Sequence, residues 1–324
     1  MTKESSVENP TVSIIVISYN TRDLTLDCIR SVFDQAKDVS FEVIVLDNAS
    51  TDGSAEAIAK EFPDINLIAS KENSGFANGN NLAAKQATGE YILLLNPDTV
   101  VLDHAIDKIV QFAKAHPEAT VWGGRTLFGD RSLNTTSCWR RMTVWSLFCY
   151  ATGLSGIFPS SGLFNTEGYG GWKRDTVREI DIVTGCFLLM KRSLWEELGG
   201  FDRRFFMYGE DADLCLRAKK RGGQPMITPD ATIVHYGGQS EKVVADKMIR
   251  LLTAKVTLMQ QHWNPEGNLE ETGRVAGGLQ RLSRKSDLAL CIINKEGPLF
   301  YRKEALIVFG LMGWVISDPP RIMS

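Results

Sequence analysis

Residues 11–20 read TVSIIVISYN, and residues 41–54 read FEVIVLDNASTDGS. Each opens with an apolar, β-branched run and ends abruptly in polar side chains. A run that is apolar on both faces is what a strand inside a parallel sheet requires. Residues 11–18 and 41–46 are therefore read as strands. Between them lies a helical pattern, with Thr21 placed as its N-cap and Ile29, Val32, Phe33 and Ala36 on one face. The alternation continues outward. Residues 54–62 read as a helix, 65–69 as a short strand and 77–87 as a helix stopped near Gly89. Residues 91–95 (YILLL) read as a strand running into Asn96-Pro97-Asp98. Repeated β-α-β units impose right-handed crossovers and a mainly parallel sheet, so the fold class is α/β.

The pattern changes further along. Residues 125–175 are rich in Arg, Trp, Ser and Gly and show no clean period. Residues 180–191 read as one strand, 193–198 as a helix closed by Gly199-Gly200, 210–221 as a helix, 231–234 as a short strand ending at His235, and 241–262 as a longer helix. The expected organisation is a polar tail at 1–10, one continuous domain at 11–270 with a mixed sheet in its second half, and a helical appendage at 271–324.

The chain has 324 residues, 44% hydrophobic and 23% charged, enough apolar material for a large core and too much for wholesale disorder. A net charge of -3 argues against a nucleic-acid binder. The charge is uneven: residues 281–324 carry seven basic against four acidic side chains. The six cysteines form no Cys-x-x-Cys pair and read as scattered core thiols. The first ten residues lack the apolar stretch of a secretory signal. The longest apolar run, 305–316, is too short to span a bilayer. Two segments have the composition of an interfacial helix: Trp139-Arg140-Arg141-Met142 leading into 145–150, and 305–316 flanked by Arg302, Lys303 and Arg321. A buried core helix or a contact between two copies of the chain fits the same residues.

Open parallel sheets bind ligands at the carboxyl ends of their strands. Asp47 and Asp98 lie at two such ends, and Ser18-Tyr19-Asn20 follows the first strand. Singly, Asp47 reads equally as a cap, and Asn96-Pro97-Asp98 as a β-turn. Their joint placement after apolar strands favours a site. No Gly-x-Gly-x-x-Gly follows the first strand and no Gly-Lys-Ser/Thr occurs, which removes dinucleotide and P-loop readings. A diphosphate bound without such a cradle needs a divalent cation held by carboxylates, and Asp98 is a candidate ligand. Residues 208–213 (YGEDAD) place three acids at a helix start, where they either favour the helix dipole or do chemistry. His235, at a strand end, suits a metal ligand.

TVSIIVISYN, VIVLDNASTDGS, NSGFANGNN, YILLLNPD, TGCFLLMKRSLWEELGGFDRRFFMYGEDADLCLRAKKRG and HYGGQS occur in that order. Together they resemble glycosyltransferase family 2, inverting enzymes with the GT-A fold, and most of all its bacterial rhamnosyltransferase-like branch, over residues 11–262. The resemblance implies that Asp47 hydrogen-bonds a uracil or thymine base, with Tyr19 lining that pocket and Asn73, Gly75 and Asn81 closing over the nucleoside. It implies that Asp98 is the last residue of an Asp-x-Asp metal motif whose first acid is here Asn96, and that His235 serves the metal and diphosphate. It makes Asp211 the catalytic base and gives Glu210 a role in positioning the acceptor or the loop. The implied cofactor is Mg²⁺ or Mn²⁺, the implied donor dTDP-rhamnose, and the implied acceptor a polyprenyl-diphosphate-linked saccharide in cell-envelope polysaccharide assembly. The implied location is cytoplasmic, peripheral at the inner face of the membrane. Two rivals are weighed. A sugar nucleotidyltransferase needs a Gly-rich, Arg-bearing loop after the first strand, and Ser18-Tyr19-Asn20-Thr21-Arg22 has no Gly. A non-catalytic nucleotide-sugar scaffold is favoured by loss of Asp98, Asp211 or His235, and all three are present.

Overall fold

A computed structural model of the chain describes residues 9–237 and 244–262. The expected appendage at 271–324 and the apolar run 305–316 lie outside the described residues. The described residues form two compact units, one of residues 9–138 and 174–237 and the other of residues 139–173 and 244–262.

The first unit opens with β1 (Val12–Ser18), α1 (Arg22–Gln35), β2 (Phe41–Asp47), α2 (Ser54–Glu61), β3 (Asn66–Ala69), α3 (Gly75–Ala84) and β4 (Tyr91–Leu95). These four strands lie in the order β3-β2-β1-β4, all parallel. Every residue of β1 and β4 is buried, as apolar two-faced runs must be. Three elements that the pattern did not reveal come next: β5 (Thr99–Val101), α4 (Ala105–Ala115) and β6 (Ala119–Leu127). Ile106, Ile109 and Val110 of α4 join Ile29 and Val32 of α1 in the core. The aperiodic stretch holds short pieces, β7 (Leu133–Asn134), β8 (Cys138–Trp139), α5 (Val144–Ala151) and α6 (Leu154–Ile157), and β9 (Arg178–Glu179) and β10 (Ile182–Val183) come after it. Then follow β11 (Phe187–Lys191), α7 (Arg192–Leu198), α8 (Glu210–Lys219), β12 (Gln224–His235) and α9 (Val244–His262). The sheet continues from β4 through β11, β6 and β12 to β5. β11 runs antiparallel to both neighbours, which makes the second half mixed.

Four expectations are corrected. Residues 180–191 are two strands, broken at 184–186, because an apolar pattern is blind to where pairing stops. Residues 231–234 are the end of a twelve-residue strand, β12, whose register shifts between Thr228 and Thr232 around Pro229; proline cannot donate to a ladder, so it mimics a strand end. Phe33 is 42% exposed, not core, and lies stacked on Phe62 at 5.8 Å. Thr21 precedes α1, but its hydroxyl makes no capping bond; the Arg22 N–H donates instead to Asp52.

In the second unit, Thr143 and Ser146 form a capping box at the start of α5. Trp145 and Phe148 of α5 stack at 5.6 Å, and both are exposed. Lys255 of α9 pairs with Glu167 at 2.9 Å. No helix among the described residues is long and apolar enough to cross a membrane. Five cysteines are free and buried; Cys291 lies outside the described residues.

Candidate active site

Asp47 is the last residue of β2 and is buried. Its Oδ2 accepts the Ser50 N–H at 3.0 Å, while Oδ1 is buried with no partner. The loops beside it are cross-linked: the Asn20 N–H donates to Ser50 Oγ at 2.9 Å, and Asn20 Oδ1 accepts the Thr51 N–H at 2.8 Å. Asn20 and Ala49 hold left-handed backbone, with φ of 53° and 64°, which costs a residue with a side chain about 1 kcal/mol. Tyr19, between β1 and this loop, is half-buried. Asp52, which the sequence reading passed over, accepts the N–H of Arg22 at 2.9 Å and of Ser54 at 3.1 Å. One carboxylate thus serves the N-termini of α1 and α2.

The entry to α3 is built by its own polar residues. Asn48 donates to the Gly75 carbonyl at 3.1 Å and accepts the Ser74 N–H at 2.9 Å. Asn73 Oδ1 accepts the Gly75 N–H at 2.9 Å. Gly75 has φ 82°, and a Cβ there would meet the Phe206 carbonyl oxygen at 2.5 Å, so only glycine fits. Asn81 spends both ends of its amide on the Phe201 backbone, at 2.8 Å each. It ties α3 to the chain at 201, a role that its sequence motif does not reveal.

β4 delivers Asn96 and Asp98 to the same rim, and β12 delivers His235, registered against Thr99. His235 Nε2 lies 3.3 Å from Asp98 Oδ1 and 3.2 Å from Asn96 Nδ2. Asn96 Oδ1 and His235 Nδ1 are buried without partners. Burial opposes a charge on His235, but the Cys186 sulfur and the Asp98 carboxylate favour it and raise its pKa to about 10. The Cys186 contact was invisible to a reading that saw only scattered thiols. A carboxylate, an amide oxygen and an imidazole that gives up its proton on binding suit a hard divalent cation. The two orphaned polar atoms fit such an ion or its ligands. Among the described residues no three His, Cys, Asp or Glu side chains cluster to hold an ion.

The three acids of 208–213 have different surroundings. Tyr208 and Gly209, with φ of 72° and 86°, turn the chain sharply into α8. Asp213 is buried against Arg217 at 2.7 Å, and Arg217 also donates to the Leu198 and Gly200 carbonyls. That is a structural staple. Glu210 is buried, with Oε2 unpartnered; burial and the neighbouring Asp211 charge push its pKa well above the usual carboxylate range. Asp211 is half-buried. Its Oδ2 accepts the Gly185 N–H at 3.0 Å and its Oδ1 the Ala212 N–H at 2.7 Å. Burial raises its pKa, and the two N–H bonds partly offset that rise. Of the three, Asp211 is the carboxylate that accepts a backbone N–H on each oxygen and is still partly exposed.

A half-parallel, half-mixed sheet with acids at its strand ends and an acid-headed helix beside them is the architecture of a GT-A glycosyltransferase. The chain belongs to glycosyltransferase family 2: the model of the family described as "Glycosyl transferase family 2" matches residues 13–198. It is 30% identical over 239 residues to the O-antigen biosynthesis protein RfbC of Myxococcus xanthus, covering 73% of this chain and 18% of RfbC. It is 27% identical over 210 residues to the N-acetylglucosaminyl-diphospho-decaprenol L-rhamnosyltransferase of Mycobacterium tuberculosis, covering 61% of this chain and 67% of that protein. The chain therefore spans less than a fifth of RfbC. Among solved structures, the mannosyltransferase PcManGT of Pyrobaculum calidifontis, in complex with GDP-Man and Mn²⁺, superposes with a TM-score of 0.54 at 21% identity, over 94% of this chain and 80% of that one. That likeness supports the fold.

Proposed function

We propose that the chain is a metal-dependent inverting glycosyltransferase that moves L-rhamnose from dTDP-rhamnose to a lipid-linked saccharide in cell-envelope polysaccharide assembly. The observation that carries the chemistry is the sorting of Glu210, Asp211 and Asp213, which leaves Asp211 alone as a partly exposed carboxylate not spent on an ion pair. A sugar hydroxyl is a poor nucleophile at neutral pH; Asp211 takes its proton as the new bond forms at the anomeric carbon. With one base and no covalent nucleophile, displacement is direct and the anomeric centre inverts. A divalent cation, Mg²⁺ or Mn²⁺, held by Asp98, His235 and the Asn96 amide oxygen supplies counter-charge for the diphosphate when bound. The unpartnered Asp47 Oδ1 accepts N3–H of thymine or uracil, with Tyr19 beside it. Asn73, Gly75 and Asn81 shape the α3 entry that borders the nucleoside. The name of the mycobacterial relative supports the rhamnosyl donor and a polyprenyl-linked acceptor. The catalytic region is assigned to 11–270, and the enzyme is placed peripherally at the inner face of the cytoplasmic membrane, with 271–324 as its appendage.

The test is transfer from a panel of nucleotide sugars by purified protein, with Mn²⁺, Mg²⁺ or EDTA, and product configuration read by NMR. Inverted product from dTDP-rhamnose, lost in EDTA, is the expected result. Full turnover in EDTA, retained configuration, or equal binding of ADP and dTDP would overturn the reading.

A further inference from the structure

Thr184-Gly185-Cys186 separates β10 from β11, within a stretch whose apolar pattern calls for one strand. Breaking a strand releases backbone groups from the ladder, and buried ones must find other partners. These find the reaction machinery. The Gly185 N–H donates to Asp211 Oδ2 at 3.0 Å. One residue on, the Cys186 carbonyl accepts the Asn96 N–H at 3.2 Å. The near end is pinned twice, by the Thr184 N–H to the Ser137 carbonyl at 3.1 Å and by Thr184 Oγ1 to the Thr136 carbonyl at 2.5 Å. Consecutive residues thus hold the base on one side and the diphosphate loop on the other, across a single planar peptide. Space is not the reason for glycine here: a Cβ at 185 would lie 3.4 Å from the Phe76 ring and 3.7 Å from Asp211 Cβ, ordinary contacts.

We propose that Gly185 is a positioning residue and that Thr184-Gly185-Cys186 is a strut fixing Asp211 relative to the diphosphate loop at Asn96. The proposal rests on Asp211 being the base of the transfer described above. In a direct displacement the nucleophile enters opposite the leaving group, so base and diphosphate must keep a set separation. The strut sets it through the backbone, which no side-chain motif records.

The decisive variant replaces Gly185 in the full chain by glycolic acid, an ester that keeps the shape and removes the N–H. Gly185→Ala, which keeps the N–H, is its control. Both are expected to bind dTDP like the parent. Gly185→Ala should keep kcat within about threefold, whereas the ester should lower kcat about tenfold, the loss of one hydrogen bond to a charged group. The ester should also move the acid limb of the pH–rate profile upward by roughly half a unit or more, because a donor to the anion is gone. Glu210, Asp213 with Arg217, and Cys215 are the other titratable or charged groups around Asp211. The pH series is therefore repeated in Glu210→Gln. Thr184→Val, losing only the hydroxyl anchor, should lower kcat with donor affinity unchanged, and supplies the same reading if the ester does not fold. An active parent whose ester form keeps kcat and pH profile, or a Gly185→Ala as impaired as the ester, overturns the strut alone. A parent that transfers no sugar from any donor overturns the functional reading and the strut with it.

Discussion

At the scale of single residues, burial and hydrogen bonding separate acids that the sequence presents as equals. Asp211→Asn keeps the size and removes the basicity; kcat should fall by roughly 10²–10⁴-fold while dTDP affinity, measured by calorimetry, stays put. Because burial raises the Asp211 pKa, wild-type activity should be lost as pH falls, at a higher pH than for a solvated aspartate. Asp213→Asn should instead lower the melting temperature, since it leaves Arg217 without its buried partner. Glu210 gives the opposite sign. Its folded pKa lies well above the unfolded one, so its penalty is absent below the unfolded pKa and grows as pH rises towards the folded one. Glu210→Gln should therefore raise the melting temperature at pH 7.5 and change it little at pH 4, as scanning calorimetry would show. The candidate acids stood out in the sequence because each ends an apolar run or opens a helix. Cys186, Asn48 and Asp52 were not, because their roles are hydrogen bonds to residues far along the chain.

At the scale of elements, legibility followed burial. β1, β2 and β4 announce themselves because strands covered on both faces admit only apolar residues. The break at 184–186 and the long β12 stayed hidden, since the first keeps an apolar pattern and the second contains Pro225 and Pro229. α4 was missed although its apolar positions recur with helical spacing, and its clearest mark is a polar one. Asp107, 1% exposed, accepts the backbone N–H groups of Lys37, Asp38 and Val39, each at 3.0 Å. One carboxylate of α4 thereby fixes the connection from α1 to β2, and β2 carries Asp47. Asp107→Ala leaves three backbone donors without their buried acceptor and should cost about 3 kcal/mol in urea unfolding. Once folded, the variant should still bind dTDP. Loss of nucleotide binding at full stability would mean that Asp107 reaches the site by some other route.

At the scale of the whole molecule, two features described apart share one chemistry. In the second unit, Val144, Trp145 and Phe148 of α5 are 59%, 42% and 51% exposed, and the Trp145 indole N–H is already bonded to the Leu163 carbonyl. An indole whose polar end is satisfied can bury its ring in an interface without further cost. Outside the described residues, 281–324 carries an excess of three positive charges and the apolar run 305–316. Apolar insertion and basic attraction are the two forces that hold a peripheral protein on an anionic bilayer. The full chain is expected to float with vesicles containing anionic phospholipid, less so as salt rises, because a Debye length near 10 Å at 0.1 M screens the basic residues. Truncation after residue 280 should weaken flotation and steepen its loss with salt less than in the parent, since the removed charges are the screened ones. Trp145→Ala with Phe148→Ala should weaken it at every salt concentration, since aromatic burial is not screened. Both variants should bind dTDP as the parent does, because Asp47, Asp98 and His235 belong to the first unit. If full-length, truncated and aromatic variants all float alike, these surfaces do not meet lipid; a sedimentation shift from dimer to monomer in the same variants would then assign them to contacts between copies of the chain.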